Sequence, residues 1–207
     1  MITMEYFQYG ETEIQYLKQQ DPVLGNAIDR IGYIKRNLSP DPFDALISSI
    51  VSQQISKKAA DTVWIRLKEK AESITPEKIA KTDVEEIKNC GMSYRKAGYI
   101  KGIGKAAIDG SVNFSALHQL SDNEVVKKLS SLHGVGVWTA EMLLIFSLQR
   151  PDVVSFRDLG IRRGMMNLYK LTELTQKHFE EYRKRYSPYG SVASLYLWEL
   201  SKVEKQP

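Results

Sequence analysis

The chain has 207 residues, 43% of them hydrophobic and 26% charged, with 29 basic against 25 acidic side chains and a formal net charge of +4. That length can bury a good core as one compact unit or two small lobes, and the mild basic excess fits nucleic-acid binding as well as an ordinary basic surface. A single cysteine, Cys90, excludes a disulfide framework and a four-cysteine iron–sulfur cluster, and no apolar run is long enough to span a bilayer.

In chain order, residues 4–17 fit a short strand or an irregular arm. Asp41-Pro42-Phe43-Asp44 then starts a helix: Asp as cap, Pro in the first turn, acid near the positive end. Ala45, Ile47, Ile50 and Val51 recur at helical spacing and lead to the polar tip Gln53-Gln54-Ile55. Thr75-Pro76-Glu77 starts another helix. After Gly91-Met92-Ser93 comes one that carries Arg95, Lys96, Lys101 and Lys105; such charge runs usually form a solvated face. Ser121 and Glu124 have capping-box spacing, followed by Val125, Val126, Leu129 and Leu132. Pro, Gly and Ser form no long linker and no segment repeats. The reading is an all-α fold.

Residues 129–163 are the most informative stretch. Gly134-Val135-Gly136 opens an amphipathic helix that should end near Gln149-Arg150-Pro151, and one carboxylate, Asp158, precedes the basic pair Arg162-Arg163. Two glycines let backbone N–H groups approach an anion closely, and a helix N-terminus adds partial positive charge. Gly134, Gly136 and the Thr139 hydroxyl therefore form a candidate phosphate site. Taken alone, Asp158 is most simply a helix cap, and Asp152, directly after Pro151, is its nearest competitor as the functional acid. His118, His133 and His178 are scattered, with no zinc or Walker spacing.

Leu132, Gly134, Val135 and Gly136, then Asp158, Ile161 and Arg163, resemble the signature of the helix-hairpin-helix (HhH-GPD) superfamily of DNA base-excision glycosylases. Residues 50–56 are similar to that family's minor-groove loop. Residues 189–198 are similar to the C-terminal helix of its alkylated-base branch, DNA-3-methyladenine glycosylase II. The resemblance covers roughly residues 40–200 and departs from the pattern at His133, Val137 and Gln54.

The resemblance implies two helical lobes with the active-site cleft between them. Residues 1–38 would be an arm and first helix packing with the C-terminal lobe, and 39–207 the glycosylase core, its hairpin at about 130–140. Asp158 becomes the catalytic carboxylate. Trp138 stands where bifunctional relatives carry a nucleophilic lysine, which implies base release without strand cleavage. Trp138 and Tyr94 would line the base pocket, with Tyr189 and Trp198 as further candidates, although core packing is the simpler reading of Trp198. Gln53, Gln54 and Ile55 would form the wedge that fills the gap left by a flipped base, and Arg163 would touch DNA. The backbone carbonyls of Ser130, Leu132 and Val135 would hold a monovalent Na+ or K+.

The implied activity is hydrolysis of alkylated purines, 3-methyladenine first, from double-stranded DNA in base-excision repair. No other cofactor, no iron–sulfur cluster and no membrane partner are expected. The protein would act as a monomer in the cytoplasm, nucleoid-associated in a bacterium, because the acidic, tyrosine-rich start does not read as a signal peptide. The competing readings are a same-fold glycosylase for another lesion, a non-catalytic helix-hairpin-helix DNA-binding module, and a helical interaction protein.

Overall fold

The computed structural model describes residues 5–202. Its helices are α1 (Glu11–Gln20), α2 (Pro22–Ile31), α3 (Pro42–Ser52), α4 (Lys57–Ala71), α5 (Pro76–Lys81), α6 (Val84–Asn89), α7 (Tyr94–Ile108), a 3-10 turn at Phe114–Gln119, α8 (Asp122–Ser130), α9 (Val137–Phe146), α10 (Leu159–Leu168), α11 (Gln176–Tyr186) and α12 (Gly190–Leu200). No strand forms among the described residues; an isolated antiparallel bridge joins Tyr6 to Asn37. The fold is all-α, as the sequence pattern implies.

The helix starts follow from side chains that satisfy first-turn N–H groups. Asp41 accepts from Phe43 N–H at 2.8 Å, and Thr75 accepts from Lys78 N–H at 3.3 Å. Ser121 and Glu124 complete a reciprocal capping box. The expectation for residues 4–17 needs correction. Only the stretch around Tyr6 is extended, while α1 begins at Glu11, because Glu13 reaches back to Gly10 N–H at 2.8 Å and Leu17 is fully buried. Residue 4 lies outside the described residues. Helix α9 also stops earlier than expected, at Phe146, where Ser147 turns the chain and its hydroxyl donates to Ser39 O at 2.6 Å.

The chain divides into two units: Met1–Leu38 with Gln149–Pro207, and Ser39–Leu148. The stretch 39–207 is therefore shared between them. In the first unit α10 packs against α12 so tightly that a Cβ on Gly164 would stand 1.9 Å from Leu197 O. That approach places the start of α10 beside Trp198. Asp21, 2% exposed, accepts from the Tyr169 hydroxyl at 2.7 Å and from Arg185 at 3.2 Å, bracing the same unit. Burial pushes the Tyr169 and Tyr186 phenols well above their usual range.

In the second unit Leu46, Ile47 and Ile50 of α3 and Ala97, Ile100 and Ile103 of α7 form the centre of the core. Lys101, one of the predicted surface charges, instead donates to Thr82 O at 2.8 Å.

Candidate functional site

In the first unit, Asp158 is the N-cap of α10, and its Oδ1 accepts from Ile161 N–H at 2.8 Å. The carboxylate is 7% exposed. A second donor, the Trp198 indole Nε1–H, reaches the same oxygen at 3.0 Å. Two directed donors fix the orientation of the carboxylate. Gly160 keeps this corner open, since a Cβ there would stand 2.8 Å from the Trp198 ring and 3.1 Å from Asp158 Oδ1. The Arg36 guanidinium sits over the indole, 5.5 Å from the ring centre. Capping and a poised carboxylate are thus one arrangement.

The competitor Asp152 is committed elsewhere. Its two oxygens accept from the Ser187 hydroxyl at 2.6 Å and from Gly190 N–H at 3.1 Å, where it supports the start of α12. Arg163 is exposed. Arg162 lies over the Phe156 ring at 4.8 Å.

In the second unit, α8 and α9 are joined by the glycine hairpin. Gly134 has φ +86° and packs on Tyr99, whose ring would stand 2.3 Å from an added Cβ. Gly136 is the N-cap of α9 and supplies no side-chain cap. Nothing lies within 4 Å of a Cβ built there, so this helix start faces open space. A first turn without a protein cap, approached across a bare glycine, suits a bound phosphate. Thr139, expected on the phosphate, is buried at 3% exposure, so the donors available at this end are backbone N–H groups.

Trp138 is 41% exposed and Tyr94 57% exposed. Core packing does not describe either side chain.

The three tip residues divide. Gln54, with φ +58°, and Ile55, 40% exposed, stand at the surface between α3 and α4. The Gln53 side chain does not join them: its Nε2 donates to Gly134 O at 3.1 Å. Sequence reasoning missed this tie and the indole bond to Asp158. The first has no local signal. The second had one, since an indole N–H within an apolar helix needs an acceptor.

Similarities to known proteins bear on the arrangement. A family model described as "HhH-GPD superfamily base excision DNA repair protein" matches residues 47–188. DNA-3-methyladenine glycosylase 1 of Schizosaccharomyces pombe is 36% identical over 168 residues, covering 79% of this chain and 74% of the relative. Among solved structures, DNA-3-methyladenine glycosidase from Bacillus halodurans superposes with a TM-score of 0.87 at 35% identity, covering 97% of this chain and 94% of the other. The S. pombe 3-methyladenine DNA glycosylase in complex with abasic DNA gives a TM-score of 0.82 at 32% identity, covering 95% and 100%.

Proposed function

This chain belongs to the HhH-GPD superfamily of base-excision DNA repair proteins, and from that premise we propose that it is a DNA-3-methyladenine glycosylase that releases alkylated purines from duplex DNA and leaves the strand intact. The observation that carries the reading is Asp158, buried and oriented by Ile161 N–H and Trp198 Nε1–H at the start of α10. The similar proteins named above supply the substrate class.

The chemistry asks little of the protein. Alkylation at N3 or N7 makes the purine cationic, so the C1′–N bond breaks with its electron pair leaving on the base, which departs neutral. Positive charge develops on the sugar, and a fixed carboxylate stabilises it electrostatically. Water then adds its oxygen to C1′ and loses a proton, which Asp158 is placed to orient or accept. Trp138 offers an electron-rich face for a cationic base, with Tyr94 as a second aromatic wall. Trp138 has no amine to attack the sugar, which supports the absence of lyase chemistry.

The hairpin would hold a phosphate on its backbone N–H groups, while Gln54 and Ile55 fill the vacated stack and Arg163 adds a phosphate contact. The carbonyls of Ser130, Leu132 and Val135 would hold a monovalent cation that stiffens this hairpin. An all-oxygen donor set suits Na+ or K+, and the neighbouring Ser130 hydroxyl is buried without a partner, an oxygen such an ion could engage. No group of three or more His, Cys, Asp or Glu among the described residues is arranged to bind a metal, and no described helix is long and apolar enough to cross a membrane. A monomer working on DNA in the cytoplasm is the setting proposed.

The test is incubation with methylated duplex DNA and identification of the released bases. Release of 3-methyladenine supports the reading. Intact DNA, or release of hypoxanthine alone from mixed substrates, contradicts it.

A further inference from the structure

The surface tip between α3 and α4 is tied to the rest of the second unit by two side chains that the reaction above does not use. Gln53 Nε2 donates to Gly134 O at 3.1 Å, bridging the tip to the hairpin. The Lys96 ammonium, on α7, donates to Val51 O at 3.0 Å and also to Gln53 O. These are carbonyls of the last turn and C-cap of α3, where a cation meets the negative end of the helix dipole. Burial holds the Lys96 amine below the ordinary lysine range, so it fills this place at a desolvation cost.

Helix α7 serves both partners. Lys96 and Tyr99 are three residues apart and share a face; one holds the tip, and the other forms the surface on which Gly134 packs. Between these fixed points Gln54 is exposed and left-handed at φ +58°. A non-glycine residue keeps that conformation only where its surroundings impose it.

We infer that Gln53 and Lys96 are positioning residues for base eversion: they couple the glycine hairpin to the tip, so that seating a phosphate on the hairpin fixes where Gln54 and Ile55 enter the duplex. The inference rests on the glycosylase reading above for the roles of hairpin and tip. A loose tip would have to be ordered during DNA entry, and that cost would fall on eversion rather than on phosphate binding.

The experiment uses the full chain and a duplex with 2-aminopurine beside a tetrahydrofuran abasic-site analogue, whose fluorescence rises when the stack opens. Gln53→Met and Lys96→Met remove the two ties, and Lys96→Arg keeps a cation able to reach both carbonyls. In both Met variants the fluorescence rise at saturating protein should fall, and single-turnover base release should slow roughly tenfold. Affinity for an undamaged duplex should stay within about twofold, because phosphate contacts alone carry it. Lys96→Arg should restore most of the signal, and the Lys96 pair decides the matter when Gln53→Met does not fold.

A full fluorescence rise in folded Met variants overturns the coupling. A parallel loss of undamaged-duplex affinity also overturns it, since the ties then only hold the unit together. The fluorescence readout needs no excision. Wild-type protein that opens the stack but releases no alkylated base contradicts the glycosylase reading while leaving the coupling measurable.

Discussion

Asp158 and Trp198 are 40 positions apart in sequence and meet at 3.0 Å, the indole Nε1–H donating to the carboxylate Oδ1. The bond is charge-assisted and sits in a largely buried corner, where such donors count most. Trp198→Phe keeps an aromatic ring and removes the donor. Single-turnover excision by this variant should fall roughly ten- to hundredfold, the range for a hydrogen bond to a charged group. Affinity for DNA, measured by fluorescence anisotropy, should hold. Equal excision rates would show that the indole bond does not orient the carboxylate.

The glycines of the hairpin are not equivalent, and this separates binding from folding. Gly136 has open space where a Cβ would go, whereas a Cβ on Gly134 would strike Tyr99. Gly136→Glu should therefore fold normally and place a carboxylate where the proposed function puts a phosphate. Binding to all duplex sequences should weaken together, and the salt dependence of the remaining affinity should become shallower. Unchanged affinity in a folded variant would remove the hairpin from the interface.

Gly164 tests the packing that brings α10 to α12. A Cβ there would lie 1.9 Å from Leu197 O, a backbone atom that cannot rotate away. Gly164→Ala should destabilise the protein by about 3 kcal/mol or more, the upper part of the overpacking range, read from urea denaturation. Any of the variant that stays folded should also excise slowly, because the Asp158–Trp198 corner depends on that approach.

The proposed function has Trp138, which carries no amine, at the position of a bifunctional enzyme's nucleophilic lysine. Borohydride should trap no covalent protein–DNA adduct, and product strands should stay intact at the abasic site until treated with alkali. Lys127 and Lys128, in the last turn of α8, are the alternative amines. An adduct formed as fast as base release would show that one of them reaches the sugar.

Much of the arrangement could be read from sequence because it is local. Asp158 as cap, the hairpin glycines and the starts at Asp41, Thr75 and Ser121 each depend on residues within three or four positions. What could not be read is tertiary. Trp198 finds its acceptor across α10 and α12, and Gln53 reaches Gly134 over 81 positions. Lys96 looks like one more charge on a solvated helix face, yet it closes the end of α3. Thr139 has the spacing of a phosphate ligand, but the turn that exposes Trp138 buries it. In residues 4–17, α1 starts after Gly10, which carries no Ser, Thr, Asp or Asn cap to mark a helix start.

The most direct measurement is single-turnover release of 3-methyladenine from methylated duplex DNA by wild-type protein and by Asp158→Asn, with the affinity of both for the same DNA. The amide keeps the size of the side chain and an oxygen that can cap α10, but it loses the charge proposed to stabilise the sugar cation. The account predicts rapid release by the wild type and loss of most excision in the variant, about a thousandfold, with DNA affinity intact or tighter. Near-normal release by a folded Asp158→Asn protein would contradict it.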